Sequence, residues 1–141
     1  MKGCHTIKCW SKTQQTIALS SGEAELIALV RGCCEALGVE SLVRDLGGLT
    51  SRIVARTDAS AAVGIAKREG VGRTRHLETS ALWIQQKEWE KRLVVQKVVG
   101  KENPADIMTK NVPPDTLWRH MGSLGFRRAS GRADKAVEVV E

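Results

Sequence analysis

Apolar residues recur at two different periods along this chain, and the places where the period changes divide it into elements. Leu26, Val30, Cys33 and Leu37 follow one another at three- or four-residue steps, and Leu42, Val43 and Leu46 prolong the stripe. That is the spacing of one helix face. Ser20 and Glu23 have the spacing of a capping box, so the helix is expected to start there. Gly47-Gly48 supplies the glycine that commonly ends such a helix. Gly38, inside the stripe, argues against an unbroken helix.

Shorter segments flank this stripe. HTIKCW (5–10) alternates and reads as a strand, Ser11-Lys12-Thr13 as a turn, and QQTIAL (14–19) as the partner strand of a hairpin. RIVAR (52–56) is a short strand that runs through Thr57-Asp58 into a helix-like ASAAVGIAK. From Thr74 to Lys91 a helical row holds Leu77, Ala81, Ile84 and Glu88, with Trp83 and Trp89 beside it, and LVVQKVV (93–99) is the next strand. Asn103 and Pro104 suit the Ncap and N1 positions of a helix through Lys110, and Pro113-Pro114-Asp115 opens another through Met121. The predicted order is two strands, helix, strand, two helices, strand and helix. This is an α/β chain with a mixed sheet and helical crossovers. The periodicity predicts a core of Leu26, Val30, Leu37, Ile53, Val54, Ile84, Val95 and Val98.

With 141 residues, 42% of them hydrophobic and 27% charged, the chain has the size and composition of one globular domain. MKGCHTIKCW has no apolar run of signal-peptide length, and nothing approaches the ~20 apolar residues that span a bilayer. The expectation is a soluble intracellular protein, in cytoplasm or nucleus, with no membrane partner. Without a secretory signal, Cys4, Cys9, Cys33 and Cys34 are expected as reduced thiols. Cys33 and Cys34 fall in the helical stripe, where at least one should fill core space. A zinc site from Cys4, His5 and Cys9 lacks the usual paired-ligand spacing.

The formal net charge of +6 permits a polyanionic partner. Its placement says more, because Lys67, Arg68, Arg73, Arg75 and His76 crowd one segment. A solvated loop is the alternative reading. Three carboxylates stand where chemistry is often placed: Glu25 early in the long helix, Asp58 at a strand end, and Asp106 at the start of a late helix. Brought together they would be hard oxygen ligands for magnesium. Two such ions ~3.5–4 Å apart could activate water and stabilise the leaving oxygen of a phosphodiester. Taken singly, each has a plainer role: Asp58 as an N-cap, Glu25 and Asp106 as partners of helix dipoles.

Four motifs in order alter that balance. WSKTQQTIALSSGEAELIAL, RTDASAAVGIAK, GRTRHLE and VVGKENPADIMTKNVP resemble successive segments of the ribonuclease H domains of copia-type retrotransposon polyproteins, over roughly residues 3 to 126. The resemblance implies a ribonuclease H-like mixed sheet with flanking helices in residues 1–126. Residues 127–141, with little core-forming content, are expected as a mobile tail. It implies metal ligation by Glu25 (rather than Glu23), Asp58 and Asp106, with two magnesium ions in the complete family site and at most one well held here. It further implies cleavage of the RNA strand of RNA–DNA hybrids during reverse transcription, beside the reverse transcriptase domain of a parent polyprotein. Arg73, Thr74, Arg75 and His76 become candidates for holding the hybrid, through phosphates, shape and 2′-hydroxyls rather than base identity.

Two departures stand beside the match. The family opens with a strand that carries the first catalytic aspartate, whereas here no Asp precedes Asp45. That first strand is therefore expected to be missing and this chain to be inactive alone. The alternative is a catalytically dead remnant that binds nucleic acid or another protein. In addition, GKENPA carries no histidine where many cellular ribonucleases H have one.

Overall fold

Ser20 caps the long helix as its spacing predicts. In the computed structural model, which describes residues 6–48, 52–70 and 78–127, Glu23 N donates to Ser20 Oγ at 3.2 Å and helix α1 runs Ser21–Asp45. The return bond of the box is displaced by one residue: the Glu23 carboxylate accepts from Leu19 N at 2.7 Å. Gly38 does not interrupt α1. At its far end Gly47, at φ +75°, donates to Arg44 O and Gly48 N donates to Val43 O. These two bonds make a Schellman stop. A Cβ on Gly48 would stand 2.6 Å from Val43 Cγ1, so both glycines are needed, one for its φ and one for its bareness.

The chain forms two compact units: Lys12–Asn103, and Met1–Ser11 with Pro104–Glu141. In the first, α1 is followed by β1 (Ile53–Thr57), α2 (Ser60–Lys67), α3 (Glu78–Trp89) and β2 (Leu93–Lys97). The two strands pair in parallel, with Ile53 opposite Leu93 and Thr57 opposite Lys97. Parallel neighbours require a crossover, and the two helices supply it. A 3₁₀ turn, Gly100–Glu102, follows β2.

The core of this unit is built from Leu26, Leu29 and Cys33 of α1, Ala62, Ile65 and Ala66 of α2, Ala81 and Ile84 of α3, and Leu93 and Val95 of β2. Small residues let the helices approach closely: a Cβ on Gly22 would lie 3.0 Å from Ala61 Cβ. Of the expected core, Leu26, Ile84 and Val95 are fully buried. Val30 and Ile53 are partly buried, as are Leu37 and Val98. Val54 is a correction. It is 43% exposed, because Ile53, Ala55 and Thr57 take the better-covered face of β1 and strand geometry turns Val54 the other way.

The expected N-terminal hairpin is also corrected. No strand occurs in the described residues 6–19. Ile17 and Leu19 are 88% and 76% exposed, so the second expected strand buries no apolar face. An isolated two-stranded hairpin is marginal in water without such burial. Instead the Gln14 side chain donates to Ala24 O at 2.7 Å, tying this segment to the first turns of α1.

Burial pushes the Cys33 thiol up to about 11, with Cys34 and Glu88 adding to the effect. Cys9 and Cys34 are exposed. Cys33 is therefore expected to react far more slowly than Cys34 with a disulfide reagent at pH 8, since the thiolate is the nucleophile. Equal rates in a mass-resolved labelling time course would contradict the packing. The same shift makes a stability claim. Its contribution is intact below the unfolded thiol's pKa of 9.0 and is lost as pH rises through about 11.

In the second unit a 3₁₀ turn, Pro104–Met108, precedes α4 (Pro114–Ser123). Thr6 Oγ1 donates to Leu124 O at 2.6 Å, which ties the early segment to the end of α4. The Lys8 ammonium lies 5.1 Å from the Trp10 ring centroid. No helix among the described residues is long and apolar enough to cross a membrane.

Candidate functional site

Asp58 sits where β1 ends and α2 has not begun. Thr57, its neighbour, is buried and closes the strand: Val98 N donates to Thr57 O at 2.9 Å, and Ala59 N donates to Thr57 Oγ1 at 3.2 Å. The N-cap of α2 is Ala59, so the capping role open to Asp58 in the sequence is not the one it takes. Its half-buried carboxylate instead faces the segment after β2. The Asn103 side-chain amide donates to Asp58 Oδ1 at 3.3 Å, and a Cβ on Gly100 would lie 3.5 Å from Asp58 Oδ2.

Glu25 is exposed on α1, while its neighbour Leu26 is fully buried. Gly22, at the start of α1, packs closely on Ala61 in the first turn of α2. Glu23, by contrast, is 5% exposed and committed to the cap.

Asp106 belongs to the second unit. The α-helix expected from Asn103 to Lys110 is a 3₁₀ turn over Pro104–Met108, closed by Thr109 N and Lys110 N, which both donate to Asp106 O. The Asp106 side chain is 20% exposed and its Oδ1 lies 2.9 Å from Lys110 Nζ. Among the described residues no group of three or more His, Cys, Asp and Glu side chains is disposed to hold a metal ion.

Arg73, Thr74, Arg75 and His76 lie outside the described residues, as do Cys4 and His5 of the zinc alternative. The chain leading to the basic segment is anchored by Gln85, whose side-chain amide donates to Ile65 O at 2.9 Å and Gly70 O at 3.0 Å. Sequence reading missed Asn103 and Gly100 as neighbours of Asp58. Asn103 carried a signal, but one that pointed to a local helix cap. Its amide reaches a residue remote in sequence instead.

No family model matches this chain, and no solved structure matches it. It is 34% identical over 104 residues to the retrovirus-related Pol polyprotein from transposon TNT 1-94 of Nicotiana tabacum. The match covers 73% of this chain and 8% of that protein, so the chain spans only a small part of its relative's length. The chain is thus homologous to a segment of a retrotransposon Pol polyprotein.

Proposed function

We propose that this chain is the ribonuclease H-like part of a copia-type retrotransposon polyprotein, serving endonucleolytic cleavage of the RNA strand of RNA–DNA hybrids. The observation that carries this reading is Asp58. It stands at the C-terminal end of a parallel strand, where open α/β sheets commonly place their sites, and its carboxylate is turned away from helix capping. Homology to a Pol polyprotein supplies a setting in which such hybrids arise.

Glu25, Asp58 and Asp106 offer the hard carboxylate oxygens that magnesium prefers. Under this reading they are the candidate ligands, and bound ions would supply activation of water and compensation of charge at the phosphodiester. Arg73, Thr74, Arg75 and His76 would hold the backbones by charge and hydroxyl contacts. The reverse transcriptase domain of the parent polyprotein is the natural neighbour.

A second reading, a nucleic-acid-binding or protein-interaction remnant without catalysis, draws on one observation. The Lys110 ammonium on Asp106 already answers that carboxylate's charge.

The nuclease and the nucleic-acid-binding readings both predict binding, which a protein-interaction remnant does not, and cleavage separates the first two. The 141-residue chain is expected to bind a labelled RNA–DNA hybrid with an affinity that falls as salt rises. Arg73→Ala with Arg75→Ala should weaken binding and flatten the log–log slope, by about 0.9 per lost phosphate contact on B-form DNA and comparably on a hybrid. An unchanged slope would return the segment to a solvated loop. Magnesium-dependent scission of the RNA strand, once the upstream strand implied by the family is supplied, would select the first reading, and binding without scission the second.

A further inference from the structure

We infer that the outer face of α1 pairs with the same face of a second copy of this chain, antiparallel and centred on Gly38, so that Arg31 of each copy meets Asp45 of the other. The pairing is independent of the nuclease reading and needs neither a metal nor a nucleic acid.

The two sides of α1 are covered differently. One side carries Leu26, Leu29 and Cys33 into the core. On the other, Arg31, Cys34, Gly38, Leu42 and Asp45 follow one another at steps of three and four, and all five are exposed. At ~100° per residue they occupy about 80° of the helix circumference, a single face. Leu42 is 58% exposed and Leu46, at the end of the same face, 78%. An open groove lined by Arg31, Cys34, Glu35, Gly38, Val39 and Leu42 runs along it.

The order of these residues selects the occupant. Arg31 lies seven positions before Gly38 and Asp45 seven after it, while Cys34 lies four before and Leu42 four after. In an antiparallel pair with its twofold axis at Gly38, a residue before the axis faces the residue equally far beyond it on the other copy. Cation then meets carboxylate at both ends, thiol meets leucine further in, and glycine meets glycine at the centre. A parallel pair would set Arg31 on Arg31 and Asp45 on Asp45, so the charges specify the antiparallel sense. A face complementary to itself is what an isologous dimer requires. Among the described residues neither Arg31 nor Asp45 is in an ion pair, whereas Glu40 and Arg44 already hold each other at 3.9 Å.

Gly38 suits the centre of the seam. A Cβ there would meet nothing of its own chain within 4 Å, so the space it leaves lies on the outer side. Two helices approach as closely as the side chains at their contact allow, and a bare position lets the backbones come near. From Arg31 to Asp45 the seam is ~21 Å long. That is short against the ~800 Å² per partner of a standard interface, so the dimer is reversible and depends on concentration.

The test is sedimentation velocity of the full 141-residue chain over a range of concentrations. Reducing conditions keep the exposed Cys9 and Cys34 from forming disulfides. The unmodified chain should show a monomer–dimer equilibrium. Arg31→Glu and Asp45→Arg should each raise its Kd by ~10-fold or more, because attraction is lost and repulsion gained at two symmetric places. Arg31→Glu combined with Asp45→Arg restores opposite charges and should return the Kd to that of the unmodified chain. Gly38→Leu should weaken the dimer although leucine favours the helix and adds apolar surface. Thermal midpoints of the dilute monomers should be unchanged. If a reversed variant fails to unfold cooperatively, Arg31→Gln and Asp45→Asn replace it, with a smaller loss expected from the attraction alone. A chain that stays monomeric at every concentration overturns the pairing. So does a dimer that ignores the single charge changes, since another face then makes it. Single variants that weaken the dimer without rescue in the double variant overturn the register, and a stronger dimer from Gly38→Leu would reveal unspecific apolar adhesion instead.

Discussion

Asp58→Asn is expected to abolish magnesium-dependent cleavage of an RNA–DNA hybrid by this chain joined to the upstream strand that the family resemblance implies. If Asp58 is the metal ligand proposed above, the loss should exceed the ~10–100-fold that follows removal of an outer partner of a metal ligand. The substitution is nearly isosteric, and the new carboxamide oxygen can still accept from Asn103, so the fold around β1 should persist. What changes is charge. Two divalent cations ~3.5–4 Å apart repel strongly, and only several carboxylates can offset that repulsion. For the same reason the 141-residue chain alone, with three of the implied acids, should be nearly inactive. One labelled hybrid, assayed with the chain alone, the extended chain, its Asp58→Asn variant and an exposed control such as Glu90→Gln, decides the matter. Robust cleavage by the chain alone would overturn the argument from ligand number. Cleavage by the extended chain that ignored Asp58→Asn would show that the active site lies elsewhere.

The largest effect on stability is expected at Leu26 and Ile84. Both are completely buried, one on α1 and the other on α3. Truncation of either to Ala should cost ~2–5 kcal/mol, the sum of lost transfer energy and the cavity left behind. The upper part of that range suits this core, because Ala62, Ala66 and Ala81 already bring the backbones close and leave little slack for collapse. Urea unfolding followed by circular dichroism measures it. A midpoint and slope unchanged within error would show that these positions are not in the core.

Where a signal was local, the sequence carried it faithfully. Ser20 with Glu23 marked the start of α1 and Gly47-Gly48 its end, since a cap is made by residues that are neighbours along the chain. Thr57-Asp58 marked the passage from strand to helix for the same reason. Phase was harder. The helical row of Leu26, Val30, Cys33 and Leu37 is real, and Leu26 and Cys33 are buried, but Leu29 rather than Val30 or Leu37 completes the buried face, and only the elements packed against α1 decide between neighbouring rows. Val54 and Ile53 differ in burial through which side of β1 receives α1 and α2. Alternation cannot reveal this in a run where both residues are apolar. HTIKCW and QQTIAL have strand composition but no buried surface to hold them as strands. Of the candidate site, Glu25, Asp58 and Asp106 were legible as acids at element ends. The bond from Asn103 to Asp58 was not, because it depends on two strands ending side by side.

The parallel pairing of β1 with β2 has a consequence for how the chain comes to be folded. Ile53 and Leu93 are partners, yet α2, the segment after it and the whole of α3 lie between them. No hairpin can nucleate this sheet, and the loop-closure entropy must be met before any ladder bond forms. During synthesis β1 leaves the ribosome well before the strand that completes it, with its backbone donors and acceptors unmatched. Amide exchange should therefore report β1 and β2 opening together, in one step with α2 and α3, while the capped ends of α1 exchange on their own, faster schedule.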